Sequence, residues 1–268
     1  MTVERVLFVC QGFSPYADSP QETRMIRELP KSIQEKGVDA RVVLPQCGTV
    51  SEKRNLLYEV IRLSGQNLGI SNKERILSVK VPPAPILHMQ AYFIYNEHYF
   101  GRGRLLADEA GKLFSDNDER AIFYARGVFE TMQKLRWAPD LIHCHGWISC
   151  LVPLFLKKVY ADNPFFANTK VIYSVYADHA KKTLSRRFVK RLSEAGIPLE
   201  DAERYNEINY ETALKLAVDY ADAVMISDEN VSKGVQEYVA NSKKPFLRHY
   251  KHKYGDRYWK LYESIFGE

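Results

Sequence analysis

The stretch Asp116–Trp147, DNDERAIFYARGVFETMQKLRWAPDLIHCHGW, constrains the fold of this chain more than any other. From about Asp118 to Leu135 the apolar residues recur with a helical period, and the run that follows a short turn, DLIHCH, has the length of a strand. Asp116 and Asn117 stand where helix caps stand, with further negative charge at the positive end of the helix dipole. A near-continuous apolar strand directly after an amphipathic helix is covered on both faces, which is the condition of a parallel sheet in an α/β fold. Such a strand delivers His143, His145 and Trp147 to its carboxyl end, the edge where open α/β sheets bind ligands. His143 and His145 share a face by strand alternation, with His143 deeper.

The same alternation recurs along the chain. The strand RVLFVC and a loop lead into helix-periodic ETRMIRELPKSIQEKG, in which Leu29, Ile33 and the Met25–Ile26 pair face the sheet and Gly37 is the stop, followed by the strand DARVVLP. This is the opening of a right-handed βαβ unit. LLYEVIRLSG and ILSVKVPPAPILHMQAYFIYN read as several short strands, hairpins at the sheet margin, because Pro82, Pro83 and Pro85 interrupt pairing. His98 to Phe114 reads as a loop, and its GRGR lacks the G-x-G-x-x-G arrangement of a dinucleotide site. Later come helices at 148–160, 178–195 and 205–221, the strands KVIYSVY and AVMIS, and the helical SKGVQEYVA. The expected architecture is one Rossmann-like, doubly wound α/β domain over residues 1–240. A tail helix within 241–268 packs back on it through Tyr258, Tyr262, Ile265 and Phe266.

Composition narrows the function. At 268 residues and 46% hydrophobic content the chain can bury a large core. Its net charge of +5, from 38 basic and 33 acidic residues, is too small an excess to point to nucleic acid, which is not expected as a partner. Cys10, Cys47, Cys144 and Cys150 form no CxxC pair and read as reduced core residues, so no metal is expected. No apolar run approaches a membrane span or a signal segment, and the expected location is the cytoplasm. The basic run Lys181, Lys182, Arg186, Arg187, Lys190, Arg191 reads as a solvated helix face, and Asp18 with Glu22 as part of a solvated loop rather than an acid/base pair.

The ordered set RVLFV, Leu29–Pro30, RVVLP, YFIYNEHYF, DNDERAIFYARGVFE, PDLIHCHGW with LVPLFLK, and DYADAVMIS resembles the N-terminal catalytic half of bacterial glycogen and starch synthases, from the first strand to about residue 235. NLLYEVIRLSG and LRWAPDLIHCHGW are similar to short glycogen-synthase-like proteins common in Bacteroidetes. The resemblance implies a retaining glycosyltransferase of the two-domain GT-B type, of which this is the half that binds glucan and helps form the sugar pocket. It also implies that the half binding most of the nucleotide sugar is missing, and that the tail resembles the helix returning from that half.

Departures from the family pattern sharpen the expectation. The family's P-F/Y-A-K-T-G-G-L loop places Asp18 at the lysine, Ser19 at the threonine, and Pro20 and Gln21 at the two glycines. An aspartate repels a diphosphate and proline lacks an amide donor, so this degenerate loop is not expected to hold phosphate. H-D/E-W becomes His145–Gly146–Trp147, T-I-H-N becomes Ser174–Val175–Tyr176–Ala177, and the lysine–glycine segment keeps only Lys215. The resemblance makes Asp116, Asn117, Arg120, His145 and Trp147 sugar-facing, with His145 matching a histidine that contacts the donor glucose. Plainer readings stand beside it: capping for Asp116 and Asn117, packing for Trp147, and a satisfied buried histidine for His145. The expected function is a glycogen-synthase-like half that keeps a glucan- or oligosaccharide-binding surface without transfer of its own and without a cofactor. The alternatives are the active half of a split ADP-glucose-dependent α-1,4-glucosyltransferase, with a protein partner supplying the missing domain, or a non-catalytic protein-interaction module.

Overall fold

Seven strands run parallel through the middle of the molecule, six of them too apolar to leave either face in water. The computed structural model describes residues 3–12, 16, 29–30, 32–48, 50–85, 89–177, 185–205, 209–249 and 254–267. Its strands are β1 (Arg5–Cys10), β2 (Asp39–Pro45), β3 (Tyr58–Glu59), β4 (Gln66–Asn67), β5 (Ile76–Val81), β6 (Gln90–Tyr95), β7 (Leu141–His145), β8 (Lys170–Val175), β9 (Ala223–Ile226) and β10 (Phe246–Leu247). They lie in the order β10-β9-β8-β7-β1-β2-β6-β5-β3, with β4 paired to β5. Pairing is parallel from β10 to β6 and antiparallel at β5 and β3. After β1 the chain winds toward β2 and β6 and then returns to the other side of β1 as β7. The winding therefore reverses between β1 and β7, and the crevice above their carboxyl ends is the switch point of the sheet.

Alternation along the strands builds two cores. Leu7, Val9, Ile142, Cys144, Val171 and Tyr173 face the side covered by helices Asn117–Leu135, Val152–Lys158, Tyr210–Tyr220 and Lys233–Asn241. Val6, Phe8, Cys10, Leu141 and Ile172 face the side covered by Leu29, Ile33 and the tail helix Tyr254–Ile265, which contributes Tyr258, Leu261 and Tyr262. Ile265 and Phe266 are half-buried against the same core. Met25 and Ile26, expected beside Leu29, lie outside the described residues. All four cysteines are buried and outside any disulfide. No helix among the described residues is long and apolar enough to cross a membrane.

The helix expected from about Asp118 runs over Asn117–Leu135, and it is buried on more than its apolar stripe: Asp118, Glu119 and Arg120 are also inside. It packs closely on the sheet through Gly127, where an added Cβ would meet Ile94 Cδ1 at 3.1 Å and Leu77 Cδ1 at 3.3 Å. The Tyr124 hydroxyl lies 2.9 Å from the Cys10 carbonyl and 2.8 Å from that of Val43, tying the helix to the ends of β1 and β2.

Several boundaries differ from the sequence reading. The segment 148–160 divides into a 3-10 turn at Trp147–Ser149 and a helix Val152–Lys158, because Pro153 occupies the first turn of the latter. LLYEVIRLSG yields only the two-residue strand β3 and a 3-10 turn, Ile61–Leu63, with the two-residue β4 directly after it. In the expected loop after Tyr95, Glu97–Phe100 is a short helix capped by Asn96. Beyond residue 240 the chain supplies β10 as well as a helix.

Candidate functional site

The entrance of the central helix sits at the carboxyl edge of the sheet, and its polar residues are held from three directions. Asp116 occupies the cap position without capping: its side chain makes no bond to the helix amides. Its Oδ2 instead accepts from Arg102 Nη2 at 2.6 Å, with His98 Nε2 at 4.0 Å. This corrects the capping reading of Asp116, because the nearby guanidinium offers the carboxylate a charge-assisted bond stronger than one to a backbone amide. Asn117 does not cap either. Its Nδ2 donates to the Leu106 carbonyl and the Tyr210 hydroxyl, both at 2.8 Å, fixing the helix start between the loop after Phe100 and the helix Tyr210–Tyr220.

Arg120, one turn on, is fully buried. Its Nη1 lies 3.4 Å from Asn117 Oδ1, and the guanidinium carbon stands 4.7 Å from the Phe114 ring centre and 5.3 Å from that of Phe100. Desolvation, helped by the neighbouring charge of Arg102, pushes its pKa down to about 10, so it stays a cation at neutral pH. Arg120 Nε and Nη2 and Asp116 Oδ1 are buried with no hydrogen-bond partner. His145 Nε2 and Trp147 Nε1 are likewise buried without a hydrogen-bond partner, whereas native interiors usually pair such groups.

The predicted residues separate into two groups. Trp147 joins Asn117 through Tyr210: the Trp147 and Tyr210 rings are 4.5 Å apart, and Tyr210 accepts from Asn117. Trp147 is 1% exposed, so its ring face is occupied by packing and is not open to stack on a sugar. His145 is elsewhere. It projects from β7 to the face of the sheet away from the central helix, with Phe8, Tyr176 and the tail helix. His145 Nδ1 bonds the Tyr176 hydroxyl at 2.9 Å, and burial lowers its pKa to about 3. His143 beside it, ring centres 4.0 Å apart, bonds Tyr262 through Nδ1 at 2.6 Å and Ser174 through Nε2 at 2.8 Å. Burial, with the adjacent His145, holds its pKa well below the ordinary histidine value. The fully buried His145 thus does not share the entrance with Asp116 and Arg120. Ser174 and Tyr176, two positions where the chain departs from the family pattern, supply the hydroxyls that bind this histidine pair.

Sequence reading missed a second group at the same entrance. Arg191 Nη1 bonds Asp118 Oδ2 and Nη2 bonds Glu119 Oε1, both at 2.5 Å, and the Tyr99 hydroxyl donates to Glu119 Oε2 at 2.8 Å. Burial raises the pKa of Asp118 against the pull of Arg191. Arg191 is therefore a half-buried clamp on two buried carboxylates and not part of a solvated face, although Arg186, Arg187 and Lys190 of the same run are exposed. Nothing in the sequence pairs it with residues about 70 positions earlier. Tyr210 and Arg102 were missed for the same reason. Asp18, Ser19, Pro20 and Gln21 of the phosphate loop, with Glu22, Lys181 and Lys182, lie outside the described residues. Among the described residues no group of three or more His, Cys, Asp or Glu side chains is placed to hold a metal.

Comparison with known proteins agrees with the fold. The profile of the starch synthase catalytic domain matches residues 5–249. The chain is 36% identical over 189 residues to a glycogen synthase of Chlorobium limicola, covering 70% of this chain and 39% of that protein. It is 33% identical over 245 residues to a glycogen synthase of Chlorobium luteolum, covering 88% and 50%. Among solved structures, the catalytic domain of starch synthase IV from Arabidopsis thaliana, bound to ADP and acarbose, superposes with a TM-score of 0.74 at 17% identity, over 92% of this chain and 51% of that one. The chain spans about half the length of the curated relatives it matches or less.

Proposed function

Because the chain belongs to the starch synthase catalytic domain family, we propose that it provides the sugar-facing half of a glycogen- or starch-synthase-type glycosyltransferase site, with an α-glucan as ligand. The observation that carries this reading is the set of unpaired polar atoms at the helix entrance: Nε and Nη2 of the buried Arg120 and, one helical turn earlier in the chain, Oδ1 of Asp116. A sugar hydroxyl both donates and accepts, so one diol edge satisfies a guanidinium and a carboxylate together. A phosphate satisfies Arg120 and is repelled by Asp116. Asp116 is the part of this set that reaches solvent, its side chain 18% exposed, while Asn117 and Arg120 are closed over by the loop carrying Arg102, Leu106 and Phe114. Entry of a glucan therefore requires that loop to lift. The starch synthase IV domain, bound to ADP and acarbose, is a precedent for sugar and nucleotide meeting on this fold.

The reading assigns the sugar to this chain and the nucleotide elsewhere, since Asp18 and Pro20 replace a lysine and a glycine of the family's phosphate loop. Isothermal titration of the chain with maltotetraose and with ADP-glucose tests it. Maltotetraose binding that weakens at least tenfold in Asp116→Asn and in Arg120→Leu, without ADP-glucose binding, is the expected result. ADP-glucose binding overturns the reading of the Asp18 loop, and silence toward both overturns the sugar reading.

A further inference from the structure

At the opposite end of the sheet from its antiparallel margin, β10 is, among the described residues, the terminal strand, bonded on one side only, to β9. Val224 N donates to the Pro245 carbonyl at 3.0 Å, so the backbone of residue 245 faces β9 and, by strand alternation, the N–H and C=O of Phe246 point away from it. Two cavities flank this edge. One lies on the side of helix Lys233–Asn241, with Ile226, Ala240 and Phe246 as apolar lining and Lys233, Glu237 and Arg248 at its polar parts. The other lies against the tail helix and is lined by Leu247, Arg248, Arg257 and Tyr258. Arg248 belongs to both.

Charge gathers at the same place. Between Asn241 and His249 the sequence holds Lys243, Lys244 and Arg248 and no acidic residue. Lys244 is engaged by the carbonyls of Asp219 and Ala221. Lys233, Lys243 and Arg248 are exposed, and no described residue forms an ion pair with them. An edge of two residues preceded by Lys243, Lys244 and Pro245 is blunted against neutral or cationic strands, so a strand added here has to carry carboxylates that offset those cations.

We propose that β10 is a docking edge for an extended acidic segment of a partner protein, which adds to the sheet as a further strand. Successive side chains of an added strand point to opposite faces, so its apolar residues enter the two cavities alternately while Phe246 supplies the backbone bonds. Flanking carboxylates meet Lys233, Lys243 and Arg248. The edge lies at the far end of the parallel sheet from the antiparallel margin and involves none of Asp116, Asn117 or Arg120, so the proposal stands independently of the sugar reading.

Fluorescence anisotropy of the full chain with a fluorescein-labelled Glu-Glu-Val-Leu-Val-Glu-Glu peptide tests this. The expected result is binding that weakens about tenfold in Arg248→Glu and falls as salt rises. It also weakens about tenfold for Glu-Glu-Val-Pro-Val-Glu-Glu, which keeps the charge and loses the central amide donor. Arg248→Glu is exposed and is expected to melt at the wild-type temperature, which separates lost binding from lost fold. Absence of binding to the first peptide, equal binding of the proline peptide, or tighter binding of a twenty-nucleotide oligothymidylate would each overturn the proposal, the last by making the surface a nucleic-acid site.

Discussion

Acidification is a direct probe of the histidine pair under the tail helix. His143 and His145 are both fully buried, 4.0 Å apart between ring centres, and neutral because burial lowers both pKa values, that of His145 to about 3. An unfolded chain holds its histidines near pKa ~6.5. With the folded values below the unfolded one, the unfolded state takes up protons first. The stabilising contribution is thus complete above about pH 6.5 and drains as pH falls toward the folded values. At pH 5.5 each histidine has cost the folded state about 1.4 kcal/mol, roughly 3 kcal/mol for the pair, before most carboxylates begin to titrate. Urea unfolding followed by tryptophan fluorescence at pH 7.5 and 5.5 measures this. The His143→Gln, His145→Gln double variant, less stable at pH 7.5, is expected to lose most of the pH dependence. His98, whose pKa is also lowered by desolvation, is exposed and present in both proteins, so the comparison removes its contribution. A wild-type change below about 1 kcal/mol, or an equal change in the double variant, would refute the argument that two buried neutral histidines set the acid limit.

Other perturbations address separate contacts. Arg191→Leu strands Asp118 and Glu119 as buried carboxylates and is expected to cost about 3–5 kcal/mol in urea unfolding. Lys190→Ala on the same helix, whose partner Glu194 is 3.7 Å away at the surface, is expected to change stability by less than about 1 kcal/mol in the same assay. Tyr262→Phe leaves His143 Nδ1 without its partner and is expected to cost about 1–3 kcal/mol. Gly127→Ala improves helix propensity by about 1 kcal/mol, yet its Cβ would press on Ile94 at 3.1 Å, and a net loss of about 1–2 kcal/mol is expected from a lowered melting temperature.

The sequence by itself determined the layer architecture, because apolar runs of strand length separated by helical periods leave a buried parallel sheet as their solution. β1, β2, β7, β8 and β9 and the central helix were legible for that reason. Only the tertiary structure decided the partnerships. Asp116 turned from its own helix to Arg102, Arg191 left an apparently solvated run to clamp two buried carboxylates, and Trp147 closed on Tyr210. His145 went to the other face of the sheet from Arg120, although both lie near its carboxyl edge. The physical reason is the range of each signal. Backbone periodicity acts over a few residues and is written in order along the chain, whereas a salt bridge or ring contact joins positions that meet only after the sheet has brought them together.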